Sequence, residues 1–168
     1  SQGFIEGSHI YSLAIDGDGQ IASESPVMIS DLSGNQYYES SVQAGGGIFV
    51  SYKDNTTGNY DVYGQYVLFA GDLLFGLSGT AIASGANDQQ SSSLAYNQNE
   101  DEVLVCYEVP DGPETDIHCK EIQLSNQSIS DGIIVSDDTD NQNSPNVYWS
   151  GTSYLIAWED ARNSSGET

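Results

Sequence analysis

Residues 29–36, Ile29-Ser30-Asp31-Leu32-Ser33-Gly34-Asn35-Gln36, return as Ile82-Ala83-Ser84-Gly85-Ala86-Asn87-Asp88-Gln89 and again as Val135-Ser136-Asp137-Asp138-Thr139-Asp140-Asn141-Gln142, 53 positions on each time. A small apolar residue, a turn and an Asx-Gln pair recur in fixed order, and self-similarity at one period marks a repeat architecture. Downstream come Ser41-Val42, Ser93-Leu94 and Asn146-Val147, then apolar runs that end in an aromatic residue: Ile48 to Tyr52, Val103 to Tyr107 and Tyr154 to Trp158. These runs are β-branched and aromatic, of strand length, and bounded by turn residues. A further element, Asp61-Val62-Tyr63-Gly64-Gln65, is matched by Asp116-Ile117-His118-Cys119-Lys120 and by His9-Ile10-Tyr11-Ser12-Leu13.

Tyr52 and Tyr63 are 11 residues apart, as are Tyr107 and His118, so two hairpins with different loops share one register. The pattern predicts strands near 9–15, 48–54, 61–67, 103–109, 116–122 and 154–160, and essentially no helix. The expected fold is all-β, with β-propeller-like four-stranded antiparallel blades: the Gln-containing segment innermost, the aromatic-ended strand second, the Asp-Val-Tyr strand third and the Ile-Ser strand at the rim. A β-sandwich also has short strands and frequent turns, but it does not predict an even period. The chain divides into a half-blade at 1–35, blades at 36–88 and 89–141, and a half-blade at 142–168, about three blades in all. Such a chain starts at a third strand and ends after a second strand. Its expected partners are therefore other copies of itself or adjoining blades of a longer chain, since unpaired strand edges recruit strands.

Composition narrows the function. The 168 residues hold 25 Asp and Glu against 3 Lys and Arg, a formal charge of -22. Nucleic-acid binding needs clustered cations against phosphate, and Lys53, Lys120 and Arg162 are scattered. Anionic membrane surfaces are excluded for the same reason. No run approaches the roughly 20 apolar residues that span a bilayer. Hydrophobic residues at 38%, with 11 Tyr, 4 Phe and 2 Trp, are too many for a disordered acidic tail. The opening Ser-Gln-Gly-Phe reads as a processed or excised piece. The acidity suits a solvated surface in extracellular media, with divalent-cation binding as the alternative.

At these residues the sequence resembles a repeat family of secreted bacterial and archaeal proteins. Its pattern is an aromatic-ended strand followed by Trp-x-Asp-x-Arg, then Asp-Ile-Tyr-Gly-Gln-Arg-Val, an Asp-Gly turn, and Ser-Pro-x-Val. Trp158-Glu159-Asp160-Ala161-Arg162, Asp61-Val62-Tyr63-Gly64-Gln65-Tyr66-Val67, Asp16-Gly17-Asp18-Gly19 and Ser144-Pro145-Asn146-Val147 match in turn. The resemblance covers nearly the whole chain. It implies a propeller scaffold of the kind found in cell-surface proteins, adhesins and secreted enzymes, and not a particular activity. The Arg of the first element is missing after Tyr52 and Tyr107, and Asp-Ile-His-Cys-Lys is a degraded copy.

Several residues are candidates for chemistry. Cys106 and Cys119 flank the Tyr107–His118 pair at partner positions of a hairpin, which suits a cross-strand disulfide in a secreted chain; a reduced buried pair is the other reading. Asp16 and Asp18 have the spacing that opens a calcium-binding loop, but position 12 of that loop is Val27, and a tight turn serves equally well. Asp137, Asp138 and Asp140 form a denser carboxylate cluster, which reads either as a calcium site or as a solvated loop. No cofactor is otherwise expected. Asn55, Asn126 and Asn163 begin glycosylation sequons, with Asn55 and Asn163 expected to be occupied first. Arg162 is expected to bridge to Asp160 or to a carboxylate on a neighbouring strand. Tyr37, Tyr38, Tyr96, Tyr148 and Trp149 could stack a carbohydrate, or serve packing between blades. His9, Ile10, Tyr11 and Leu13 at one end, and Tyr154, Ile156 and Trp158 at the other, are the expected assembly edges.

Two functions fit. One is a non-enzymatic extracellular module at the cell surface, structural, assembling or adhesive, with a carbohydrate or protein ligand. The other is the propeller portion of a secreted hydrolase whose catalytic residues lie elsewhere.

Overall fold

The computed structural model describes residues 7–21 and 25–162, and among these it contains strands and no helix. Four antiparallel sheets follow one another along the chain. Sheet 1 pairs β1 (Tyr11–Ser12) with β2 (Val27–Met28). Sheet 2 is a meander of β3 (Gln36–Ala44), β4 (Gly47–Asp54), β5 (Asp61–Leu68) and β6 (Thr80–Ala83). Sheet 3 repeats it with β7 (Gln90–Asn97), β8 (Glu102–Asp111) and β9 (Glu114–Gln123), and then both β10 (Ser128–Ile129) and β11 (Ile133–Ser136) pair with β9. Sheet 4 is the hairpin of β12 (Gln142–Trp149) and β13 (Tyr154–Asp160).

The strands expected near 48–54, 61–67, 103–109, 116–122 and 154–160 are β4, β5, β8, β9 and β13. The strand expected at 9–15 is cut to Tyr11–Ser12, with one isolated bridge from Ile15 to Ile21. A strand needs partners along its edges, and β1 has only the two residues of β2. The sheets are antiparallel as expected, one of four strands and one of five, but among the described residues they do not close into a ring, because β1 and β13 are not paired with each other.

The sheets stack face to face. Phe49, Val62, Tyr66 and Ile82 of sheet 2 meet Leu94, Val103, Val105, Tyr107 and Ile122 of sheet 3. The other face of sheet 3, with Leu104, Cys106 and Cys119, meets Val147 and Ile156 of sheet 4. The other face of sheet 2, with Val50, Tyr52 and Val67, meets Ile10 and Ile29. This explains why Ile48 to Tyr52 and Val103 to Tyr107 read as continuous apolar runs, since a strand buried on both faces has no polar alternation. Within sheet 2, Gly64 leaves the space that its neighbours fill: a Cβ there would come within 2.5 Å of Phe49 and 2.8 Å of Ile82.

The recurring Asx residue turns out to be a clasp between sheets. Asn35 Oδ1 accepts from Ser8 N while Gln36 N donates to Ser8 O; Asp88 Oδ1 accepts from Tyr60 N while Gln89 N donates to Tyr60 O. In the last copy Thr115 Oγ1 donates to Asn141 Oδ1 and Gln142 O. Ser8, Tyr60 and Thr115 each stand three residues before the aromatic of a third strand, Tyr11, Tyr63 and His118. Each clasp thus ties the first strand of one sheet to the entrance of the third strand in the preceding sheet. Carboxylates add a second tie. Glu39 of β3 accepts from Ser91 N and Ser92 N of β7, and Glu108 of β8 accepts from Ser144 N of β12. Ser91 and Ser144 hold equivalent bulges with φ near 57° and 55°.

The Gln of Asp-Val-Tyr-Gly-Gln is fully buried and fully used. Gln65 Nε2 donates to Ile29 O and Gly76 O, and its Oε1 accepts from Tyr66 N and Phe75 N. Lys120, at the same position in the diverged copy, keeps the inter-sheet contact by donating to Ile82 O at 2.8 Å. Replacing Gln65 by Leu strands buried donors and acceptors, which costs about 1–3 kcal/mol for each unsatisfied group. Gln65→Leu is therefore expected to lower stability by about 3 kcal/mol, or roughly 6–12 °C in Tm. Urea and thermal unfolding, with the exposed Gln43→Ala as a control near zero, check this.

Candidate functional site

Cys106 and Cys119 are joined by a disulfide, and both are buried between sheets 3 and 4. β8 and β9 place them directly opposite each other, one step in from Tyr107 and His118. A disulfide fits an oxidising compartment such as the extracellular space. No helix among the described residues is long and apolar enough to cross a membrane.

Among the described residues no group of three or more His, Cys, Asp or Glu is placed to hold a metal ion. Asp16 Oδ1 accepts from the backbone N of Asp18 and Gln20, which makes 16–20 a side-chain-closed turn. In the loop of Asp137, Asp138 and Asp140, Asp138 is engaged by Arg162 at 2.8 Å, while Asp137 and Asp140 are exposed. Arg162 also pairs with Asp160 at 2.7 Å, so the single Arg bridges both expected partners and latches the end of β13 to the loop ahead of β12. That pairing holds the Asp160 carboxyl below its ordinary pKa.

The two described sequons differ in exposure. Asn55 is half-buried, with Oδ1 accepting from Asn35 N, and its loop packs on the backbone of Gly34. Asn126 is exposed in a turn where its Oδ1 accepts from Ser128 N. Asn163 lies outside the described residues. The loop after the second strand is wedged between neighbouring turns, which the sequence pattern alone does not reveal.

The five aromatic candidates separate into two groups. Tyr96, Tyr148 and Trp149 line a groove of about 290 Å³ at one end of β3, β7 and β12, beside the amides of Gln43 and Gln98. Tyr37 and Tyr38 sit at the opposite end of β3, where Tyr37 stacks edge-on against Tyr60 beneath Lys53. Trp149 Nε1 is buried without an acceptor, and its ring lies 4.7 Å from Tyr154.

At the expected assembly edges large apolar side chains are exposed. At one end, β1 pairs only with β2, and Tyr11, Leu13, Ile15 and Ile21 are 57%, 42%, 63% and 66% exposed. At the other, β13 pairs only with β12. Tyr154, Ile156 and Trp158 turn toward sheet 3, while Leu155 on the opposite face is 61% exposed and Tyr148 of β12 65%. Leu155, exposed on the same hairpin, is not among the edge residues expected from the sequence. The signal was there: Tyr154-Leu155-Ile156-Ala157-Trp158 has the unbroken apolar character that β4 and β8 show when both faces are covered. Beside β1 lies an apolar groove of about 220 Å³, lined by Ala14, Val27, Ile48 and Val67 among others.

No protein-family model matches the chain, and a search of the curated proteins returns no relative.

Two predictions arise here. Burial, and then the neighbouring Glu121, push the Glu102 carboxyl above its ordinary pKa of 4.5, against the hydrogen bond from Tyr154 Oη at 3.1 Å. The folded state binds this proton more tightly than the unfolded chain, so stability falls as pH rises from near 4.5 through the folded pKa and stays lower at neutral pH. Glu102→Gln should raise Tm at pH 7 by about 1–3 °C, with the gain vanishing by about pH 4 in calorimetric scans. Secondly, in a glycosylating host Asn126 should be occupied ahead of Asn55, as glycopeptide mass spectrometry would measure.

Proposed function

We propose that the chain is a non-enzymatic extracellular β-propeller repeat module, which serves as a structural, assembly or adhesive component at the cell surface. The supporting observation is the stack itself. A four-stranded meander and a five-stranded sheet built on the same meander bury both faces, with two two-stranded sheets outside them, so each of the two larger sheets takes the place of a blade. The clasps at Asn35, Asp88 and Asn141 repeat with that stack and tie the innermost strand of each sheet to its predecessor. The likeness to secreted repeat proteins, carried by Trp158-Glu159-Asp160-Ala161-Arg162 and Asp61 to Val67, agrees with this reading, and the Cys106–Cys119 disulfide supports the extracellular address. For an adhesive role, the groove at Tyr96, Tyr148 and Trp149 offers aromatic faces with amides nearby, a chemistry suited to sugars.

The test is a polypeptide carrying the sequence twice in tandem. A propeller expects the inner half-blades to complete each other and the outer pair to close the ring. Its 336 residues, twice 168, should have a radius of gyration of about 20 Å by X-ray scattering, and should melt at least about 10 °C above the single chain. An elongated rod of stacked sheets would overturn the proposal.

A further inference from the structure

Lys53 is one of 3 cationic side chains among 25 carboxylates, yet its Nζ donates to the side-chain amide oxygen of Gln90, at 3.1 Å. Among the described residues both ion pairs are made by Arg162 and none by Lys53. Behind the amide stands a carboxylate: Gln90 Nε2 donates to Glu108 Oε2 at 3.5 Å, and Glu108 is 5% exposed. Amine, carboxamide and buried carboxylate therefore lie in a row across the boundary between sheets 2 and 3. The repeat explains this placement. Tyr37 with Lys53, Gln90 with Glu108 and Asn143 with Glu159 are the facing pairs at one repeated position of the first and second strands. From there the second strand of each sheet reaches the first strand of the next, as Glu108 does in accepting from Ser144 N at 2.8 Å. Of these two boundaries, only the one between sheets 2 and 3 sets an amine against an amide.

We infer that Lys53 and Gln90 condense into an amide bond that joins sheets 2 and 3 covalently, with Glu108 as the proton carrier. Each contact carries a proton in the sense the reaction needs. Lys53 passes a proton to Oε1 while Nε2 passes one to Glu108, which frees the amine and lets Nζ attack Cδ. Glu108 then returns its proton to Nε2, and one proton from Nζ and the one on Oε1 follow as the Cδ–Nε2 bond breaks. An Nζ–Cδ bond replaces Cδ–Nε2, the charge of the Lys53 ammonium leaves as ammonium ion, and Glu108 ends as the carboxylate it began. No oxidant or further reactant is required. An amide is a poor electrophile, and the fold offsets this by holding the groups together. Glu39 of β3 accepts from Ser91 N and Ser92 N at 2.8 and 3.0 Å, which anchors the backbone beside Gln90 to sheet 2. Lys53 Nζ lies over the Tyr60 ring, 5.0 Å from its centroid. Reactants held in this way reach effective concentrations of about 10⁵–10⁸ M in favourable cases. The reaction occurs once per chain, so even a slow step completes within the lifetime of the folded protein.

Trypsin reads the bond directly. The purified full chain, reduced and denatured, has cleavage sites after Lys53, Lys120 and Arg162. An unlinked chain yields 1–53 and 54–120 as separate fragments. The linked chain should resist cleavage at Lys53 and yield 1–120, lighter than its sequence mass by one ammonia, with fragmentation placing the branch at Gln90. Lys53→Arg keeps a cation within reach of Gln90 but offers no amine, and should give the two separate fragments at full mass. Glu108→Gln keeps an oxygen for Ser144 N and should slow the link by about 100-fold or more, with formation of the Cys106–Cys119 disulfide as the check on folding. Separate fragments from the unaltered chain after days of incubation would overturn the inference. So would linking at an undiminished rate in Glu108→Gln, or conversion of Gln90 to glutamate with Lys53 left free. None of these outcomes bears on the propeller reading, which the tandem chain tests separately.

Discussion

Burial of both faces of sheets 2 and 3 is the constraint on which the remaining structure depends. A four-stranded sheet with Phe49, Val62 and Ile82 on one face and Val50, Tyr52 and Val67 on the other needs an apolar neighbour on each side. Sheet 3 has the same need, with Val103, Val105 and Tyr107 on one face and Leu104, Cys106 and Cys119 on the other. Stacking is the arrangement that satisfies it, and each added sheet carries forward the same requirement. Among the described residues, apolar side chains such as Tyr11, Ile15, Tyr148 and Leu155 are left exposed at the two ends of the stack.

Apolar stacking alone fixes neither the rotation nor the offset of successive sheets, because apolar contact is non-directional. The polar ties supply direction. The clasps at Asn35, Asp88 and Asn141, the carboxylates of Glu39 and Glu108, and the inter-sheet contacts of Gln65 and Lys120 all run between one sheet and the next. Lys120 shows how the repeats diverge. Its motif has lost the Gln, yet a longer donor reaches the same carbonyl, so the geometry survives the change of residue.

Charge acts on this scaffold from outside. A net charge of -22 keeps the surface solvated and opposes the approach of further copies. That repulsion is screened by salt over a Debye length of about 8 Å at physiological ionic strength. Arg162, paired with both Asp138 and Asp160, offsets repulsion locally where β13 ends.

The repeat period, the strand positions, the hairpin registers and the Cys pairing were all legible in the residues, because each depends on local spacing. Tyr52 with Tyr63 and Tyr107 with His118 have equal separations, and equal separations in a hairpin enforce equal registers. Of Arg162's two carboxylates, Asp160 was legible in the same way. The clasp role of the Asx residues, the wedging of Asn55 and the bare face of Leu155 were decided only by the tertiary structure. These depend on which sheet lies against which, a long-range arrangement that spacing within one hairpin does not encode. The acidic loop illustrates the limit. Asp137, Asp138 and Asp140 are adjacent in sequence, yet folding brings a distant guanidinium to Asp138 and leaves the other two to solvent, because side-chain partners are chosen by proximity in space rather than along the chain.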